Sequence, residues 1–312
     1  MRVLVTGSIA YDRIMNFPGL FVDHILPDKL HQISVGFLLQ DMQESFGGTA
    51  ANIAYSLALL GEQPSVVCNV GGLDWETYRR WLQQHRIATG LVQVVAKQRT
   101  AIAHVITDQR DNQIAGFFPG AMLRPWKGKV SKLRNFDLAI VSAQHPDDMT
   151  KFPTVCKRFG IPYIYDPAQQ ITALSKTQLL AGIVGSRMLI GNDYEMAMVM
   201  KKTGKNLPGL LRLCQTIITT FGERGSMIAQ ASRRIRIPAA KPRSTIDPTG
   251  AGDAYRAGII KGMALGLPLE KIGRLGALTA VYAVEQQGTQ RHRFNWRGLL
   301  QRYRQNFKQS LY

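Results

Sequence analysis

The sequence predicts a three-layer α/β/α protein that carries a small extra β-sheet. Three observations predict it. Short apolar runs alternate with helix-like segments along most of the 312 residues, the pattern of strands joined by helices across a sheet. Two glycine-rich turns each open directly into a helix-like run. Two stretches, about 12–46 and 100–118, interrupt the alternation with strand-like patterning of their own.

The chain opens on a short apolar strand at 3–6, followed by Gly7, Ser8 and then Asp12. Further strands are expected at 65–70, 137–142, 162–166, 187–190 and 216–220. Helices are expected at 50–60, 74–84, 192–202, 207–214, 252–265 and 269–286. The 50–60 helix stops at Gly61, a residue suited to a helix end. The 12–46 stretch contains an apolar run at 33–39. In the other, 101–107 and 113–118 flank a polar turn at 108–112 whose Asp and Asn supply hairpin chemistry. In a sheet of this kind ligands sit beyond the carboxyl ends of the strands, which gathers Asp12, Asp166, Asn192 and Gly222 near one edge.

Composition narrows the function classes. The length suits one α/β domain with a smaller attachment, and 45% apolar residues is ordinary for a globular protein. Cys68, Cys156 and Cys214 are far apart and odd in number, which argues against a disulfide framework or a metal-binding cluster. The first apolar run is short and interrupted by Gly7 and Ser8, unlike a signal peptide, and no run reaches the ~20 residues of a membrane span. A cytoplasmic location is the expectation. The net charge of +18 is scattered, with short clusters at 127–132, 233–236 and 291–304. It reads as a basic solvated surface that attracts anionic ligands rather than as a nucleic-acid face.

The chemistry concentrates in Asp247-Pro248-Thr249-Gly250-Ala251-Gly252-Asp253. Small residues let backbone approach a ligand closely, and the free N–H groups of a helix start attract phosphate. An acid beside such a site repels phosphate, which makes sense where Asp253 takes a proton from an attacking hydroxyl. The same acid would also serve as an ordinary helix cap. A second turn, Phe46-Gly47-Gly48-Thr49-Ala50-Ala51-Asn52, lets a polyol lie against backbone while the Asn52 amide offers donors and acceptors. Loops of the Gly-x-x-x-x-Gly-Lys-Ser/Thr type, protein-kinase signatures and a dinucleotide fingerprint are absent. The six histidines show no metal-binding spacing; His104 lies within the 101–107 strand.

Together the two turns resemble both signatures of the ribokinase-like (PfkB) family of carbohydrate and nucleoside kinases, through Gly47, Gly48, Asn52 and Gly61, then Asp247, Gly250, Ala251, Gly252, Asp253, Ala257 and Gly258. The resemblance implies ATP and Mg²⁺ as cofactors. It implies Asp253 as general base, with Gly250, Ala251 and Gly252 stabilising the phosphoryl oxygens. Asp12, Gly47, Gly48 and Asn52 would hold the acceptor, and Asn192, Thr220, Gly222 and Gly225 would border ATP. Glu195, in the Asn-x-x-Glu element, would help hold Mg²⁺ through water. It also implies that the 12–46 and 100–118 segments form a lid, and it raises K⁺ near Asp247, Val284 and Gly288. Pro248 departs from the Thr of many relatives.

Phe117 to Met122 and Glu285 to Gln290 resemble segments of bacterial adenosine-kinase-like proteins. Phe37, Phe117, Phe118 and Met122 are aromatic or flexible candidates for a purine slot. The expected acceptor is the 5′-hydroxyl of adenosine, with inosine, guanosine and free ribose as alternatives. A nucleoside sensor without turnover is the reading from another class. The resemblance also implies an arginine that assists phosphoryl transfer; the motifs do not assign it, and Arg99 and Arg124 are candidates by their proximity to the lid segments. The protein is expected to be a monomer or homodimer.

Overall fold

The computed structural model describes residues 1–312. Its main sheet runs Arg234–Ile237, Ser226–Ala229, Thr216–Thr220, Met188–Asn192, Tyr163–Tyr165, Leu138–Val141, Arg2–Thr6, Gln63–Val67. Six of these strands are parallel, and the first two close one edge as an antiparallel hairpin. Period-two alternation divides each central strand between two cores: Val3 and Val5 enter one, Leu4 the other. Both faces are therefore covered, which is why these strands read as unbroken apolar runs.

Helices Thr49–Leu59, Trp75–Gln84, Ala251–Ala264, Leu269–Val284 and Trp296–Phe307 cover the larger core. Pro146–Phe159, Lys176–Ile183 and Asp193–Thr203 cover the smaller one. The three layers follow the expected architecture. No helix is long and apolar enough to cross a membrane.

The departures have local causes. The 65–70 strand divides at Cys68: Gln63–Val67 stays in the main sheet, while Asn69–Gly71 pairs with Gln93–Val95. The 207–214 helix ends at Leu211, with Pro208 in its first turn. Pro146–Phe159 was not expected, and an internal Pro153 disguises its pattern. Lys176–Ile183 was also missed, although Ser175 and Gln178 form a reciprocal capping box that the sequence displays.

A second sheet of four strands, Asp41–Gly47, Ala10–Asn16, Ala101–Thr107 and Gln113–Phe118, rises from the carboxyl end of Arg2–Thr6. The hairpin falls at the expected residues. Asp108 closes its turn by accepting the backbone N–H groups of Arg110 and Asn112, both at 2.9 Å. The apolar 33–39 run is not a strand. Phe37 instead packs, half-buried, on Phe17 and Phe21, with ring centroids at 4.8 and 5.1 Å. Across the sheet Asp12 lies in one row with Ser45, Ala103 and Phe117, so these side chains share a face. His104 lies in the adjacent row and points to the other face.

Candidate active site

Gly250, in the left-handed conformation at φ 77°, turns the chain into the Ala251–Ala264 helix and puts Asp253 in its first turn. Asp253 Oδ2 accepts from Asn52 Nδ2 at 2.9 Å, which joins the two glycine turns. Asn52 Oδ1 accepts from Gln290 Nε2, also at 2.9 Å. Gln290 donates as well to the Tyr78 hydroxyl at 2.6 Å, and Tyr78 donates to the Gly47 carbonyl at 2.6 Å. Trp81 Nε1 holds the Gln290 amide oxygen at 2.9 Å. One hydrogen-bonded chain thus runs from Gly47 to Asp253. The Asn52 amide, buried and largely committed to it, keeps one N–H and one lone pair for other partners.

Asp253 is half-exposed by surface area, yet its carboxyl sits deep among protein atoms. Burial pushes its pKa up to about 7; Arg256 and the Asn52 hydrogen bond oppose the rise, and Asp166 and Asp12 add to it. Asp12 is raised to about 6, by burial first and then by Asp247. A side chain on Gly47 would overlap the Asp12 carboxylate. Gly48 is enclosed by backbone: at φ 90°, an added Cβ would stand 2.6 Å from Ala10 N and Ser8 O.

The remaining expected residues lie at the carboxyl ends of the neighbouring strands. Asn192 and Thr220 are partners in register. Asn192 Oδ1 accepts from Glu195 N at 2.7 Å, and Glu195 Oε2 accepts from Asn192 N at 2.8 Å. This capping box leaves the second Glu195 oxygen free, and burial raises the pKa of the carboxyl. Gly222 is exposed at φ 60°, and Gly225 is buried against the Ile237 carbonyl. The structure also gathers Asp247, Val284 and Gly288. Asp247 Oδ2 accepts from Gly288 N at 2.8 Å, and the Asp247 N–H donates to the Val284 carbonyl at 3.1 Å. Phe117 is 53% exposed on the outer strand of the small sheet.

Neither candidate arginine is the one beside Asp253. Arg99 reaches Asp74 at 3.8 Å, and Arg124 is exposed. Arg256 takes that place, bound to Asp166 by Nε to Oδ2 at 2.6 Å and by Nη2 to Oδ1 at 2.5 Å. Its position, three residues after Asp253, was the available signal. Tyr78 and Trp81 offered no such signal, and Gln290 offered only its place at the end of the Glu285 to Gln290 segment. A cleft of about 480 Å³, lined by Ser186, Arg212, Cys214 and Gln230, lies at the opposite end of the strands.

A family model for the pfkB family carbohydrate kinases matches residues 3–294. The chain belongs to the pfkB family. Among its relatives is a nucleoside kinase of Methanocaldococcus jannaschii, 29% identical over 304 residues that cover 96% of both chains. A nucleoside kinase of Burkholderia thailandensis, solved in complex with inosine, superposes with a TM-score of 0.89, at 32% identity over 99% of both chains. The ribokinase of Bacillus subtilis is 24% identical over 93% of this chain and 94% of its own. The pfkB family assignment agrees with both glycine turns and with the kinase chemistry expected of them, and ATP is the phosphoryl donor that this kinase fold implies.

Proposed function

We propose that the protein transfers the γ-phosphoryl group of ATP to the 5′-hydroxyl of a purine ribonucleoside, with adenosine and inosine as acceptors. The observation that carries this reading is Asp253: a carboxyl of pKa about 7 at a glycine-opened helix start, held by Asn52. An acid with that pKa is matched to take a proton near neutral pH. The nucleoside kinases of M. jannaschii and B. thailandensis, the latter solved with inosine and with ADP and inosine, favour a nucleoside over a free sugar.

Asp12 and the exposed backbone of Gly47 and Gly48 bind the ribose hydroxyls and bring the reactive oxygen to Asp253. Asn52 orients Asp253 and offers its spare N–H to the acceptor. Backbone N–H groups at Gly250 and Gly252 meet the phosphoryl oxygens, where fixed donors stabilise developing charge, while the Ala251 N–H between them donates to the Pro248 carbonyl at 3.1 Å. Asn192, Thr220, Gly222 and Gly225 border the nucleotide. Glu195, half-buried with one free oxygen, fits a Mg²⁺ held through water, and Mg²⁺ would neutralise phosphate charge there. Asp247, Val284 and Gly288 fit a monovalent cation such as K⁺. The small sheet serves as a lid that excludes water from the transfer.

Two further outcomes are expected. Asp253 must be ionised to act, so kcat/KM for the acceptor should rise with pH through an apparent pKa of about 7 and fall away below it. A flat profile between pH 5.5 and 8.5 would remove the base assignment. Phe117, on the Asp12 face of the small sheet, stacks on the purine. Phe117→Ala should raise KM for adenosine by about 5- to 100-fold, the worth of one base-aromatic stack, and leave any turnover of free ribose unchanged.

The reading is tested by ATP-dependent ADP release with Mg²⁺ across adenosine, inosine, guanosine, ribose and fructose 6-phosphate. Turnover with the purine nucleosides supports it. Preference for ribose or fructose 6-phosphate would replace the acceptor. Nucleoside binding without turnover would favour a sensor.

A further inference from the structure

Arg256 stands one helical turn after Asp253 and is only 7% exposed. A guanidinium so buried is tolerated when its charge is paired. Asp166, fully buried at the end of Tyr163–Tyr165, pairs it through a two-pronged contact, and the Ser142 hydroxyl donates to the same carboxylate at 2.7 Å. Two nitrogens are therefore locked and the fork cannot turn. Burial alone would lower the Arg256 pKa, but Asp166, then Asp253 and Glu195, reverse this, so the group stays charged.

The third nitrogen, Nη1, hydrogen-bonds to nothing in the protein. It lies under the glycine turn, where a Cβ added to Gly252 would come within 2.9 Å of it. Gly252 has no left-handed conformation that demands glycine. A Cβ there would press on this nitrogen, which the Asp166 pair holds in place. An unpaired, permanently charged donor next to the free N–H groups of a helix start belongs to an anion's binding surface.

We propose that Arg256 is a further catalytic residue, its Nη1 donating to an oxygen of the γ-phosphoryl group during transfer. The proposal rests on the reading of the Gly250–Gly252 turn as the transfer site. In that step the acceptor oxygen bonds to the γ-phosphorus and the bond to the β,γ-bridging oxygen breaks. The electron pair leaves with ADP, and the hydroxyl proton goes to Asp253. Arg256 keeps its own protons throughout and contributes charge and geometry.

The test compares Asp166→Asn with the double variant Asp166→Asn/Arg256→Gln, which removes the guanidinium without leaving a buried charge unpaired. Thermal melts check that both fold. The double variant should lose about 10²- to 10³-fold in kcat relative to Asp166→Asn, with KM for the nucleoside held within about threefold. Equal kcat in the two variants would overturn the proposal. Gly252→Ala gives a second reading that leaves Asp166 and Arg256 in place. It should lower kcat about tenfold by displacing Nη1, and parental kcat would overturn the proposal as well. An Asp253→Asn control runs alongside. Full turnover there would overturn the base assignment and not the arginine, which is judged on its own pair of variants.

Discussion

Asp253→Asn is expected to lower kcat by about 10²- to 10⁴-fold, the contribution of a positioned general base, while the protein stays folded. The carboxyl makes one side-chain hydrogen bond, from Asn52, and an asparagine oxygen can accept it too. Burial already works against the charged carboxylate, so a neutral isostere relieves a desolvation cost. The melting temperature should therefore hold or rise as turnover falls. The pH limb near 7 should disappear from whatever activity remains. A variant that keeps parental kcat would leave Asp253 as a partner of Asn52 alone and move proton transfer to another group.

Gly48→Ala is expected to destabilise the protein by about 3 kcal/mol or more and to raise KM for the acceptor. Gly48 combines φ 90° with ψ 137°, a region that side chains avoid. The backbone at Ser8, Ile9 and Ala10 surrounds the space that a Cβ would need, and backbone cannot step aside as a flexible side chain can. Relief would come from moving the start of Ala10–Asn16, which carries Asp12 and the whole small sheet. Denaturant midpoints and acceptor KM, measured together, check this. A stable Gly48→Ala protein with parental KM would show that the close approach at Ser8 is not needed for acceptor binding.

Much of this molecule is legible in its sequence. The strand at 216–220, the hairpin strands at 101–107 and 113–118, and the helices that follow both glycine turns are local patterns of apolar spacing and turn residues, and they fall within a residue or two of the observed elements. Local pattern failed where a residue carries two meanings. Pro153 reads as a helix breaker yet sits inside Pro146–Phe159, and the apolar 33–39 run reads as a strand yet finds no partner strand. Phe37 packs on Phe17 and Phe21 instead.

The sequence by itself determined the layered sheet, the two glycine turns and the identity of Asp12, Asn52, Asp253 and Glu195 as the polar groups around them. Each belongs to a short motif whose chemistry is carried by neighbours in the chain. Only the tertiary structure decided which groups meet. Asp253 and Asn52 are 201 residues apart, Asn52 and Gln290 are 238 apart, and Arg256 and Asp166 are 90 apart. Spacing along the chain carries no information about contacts of that range. They arise because the parallel strands end at one edge, where elements far apart in the chain bring these side chains within hydrogen-bond reach.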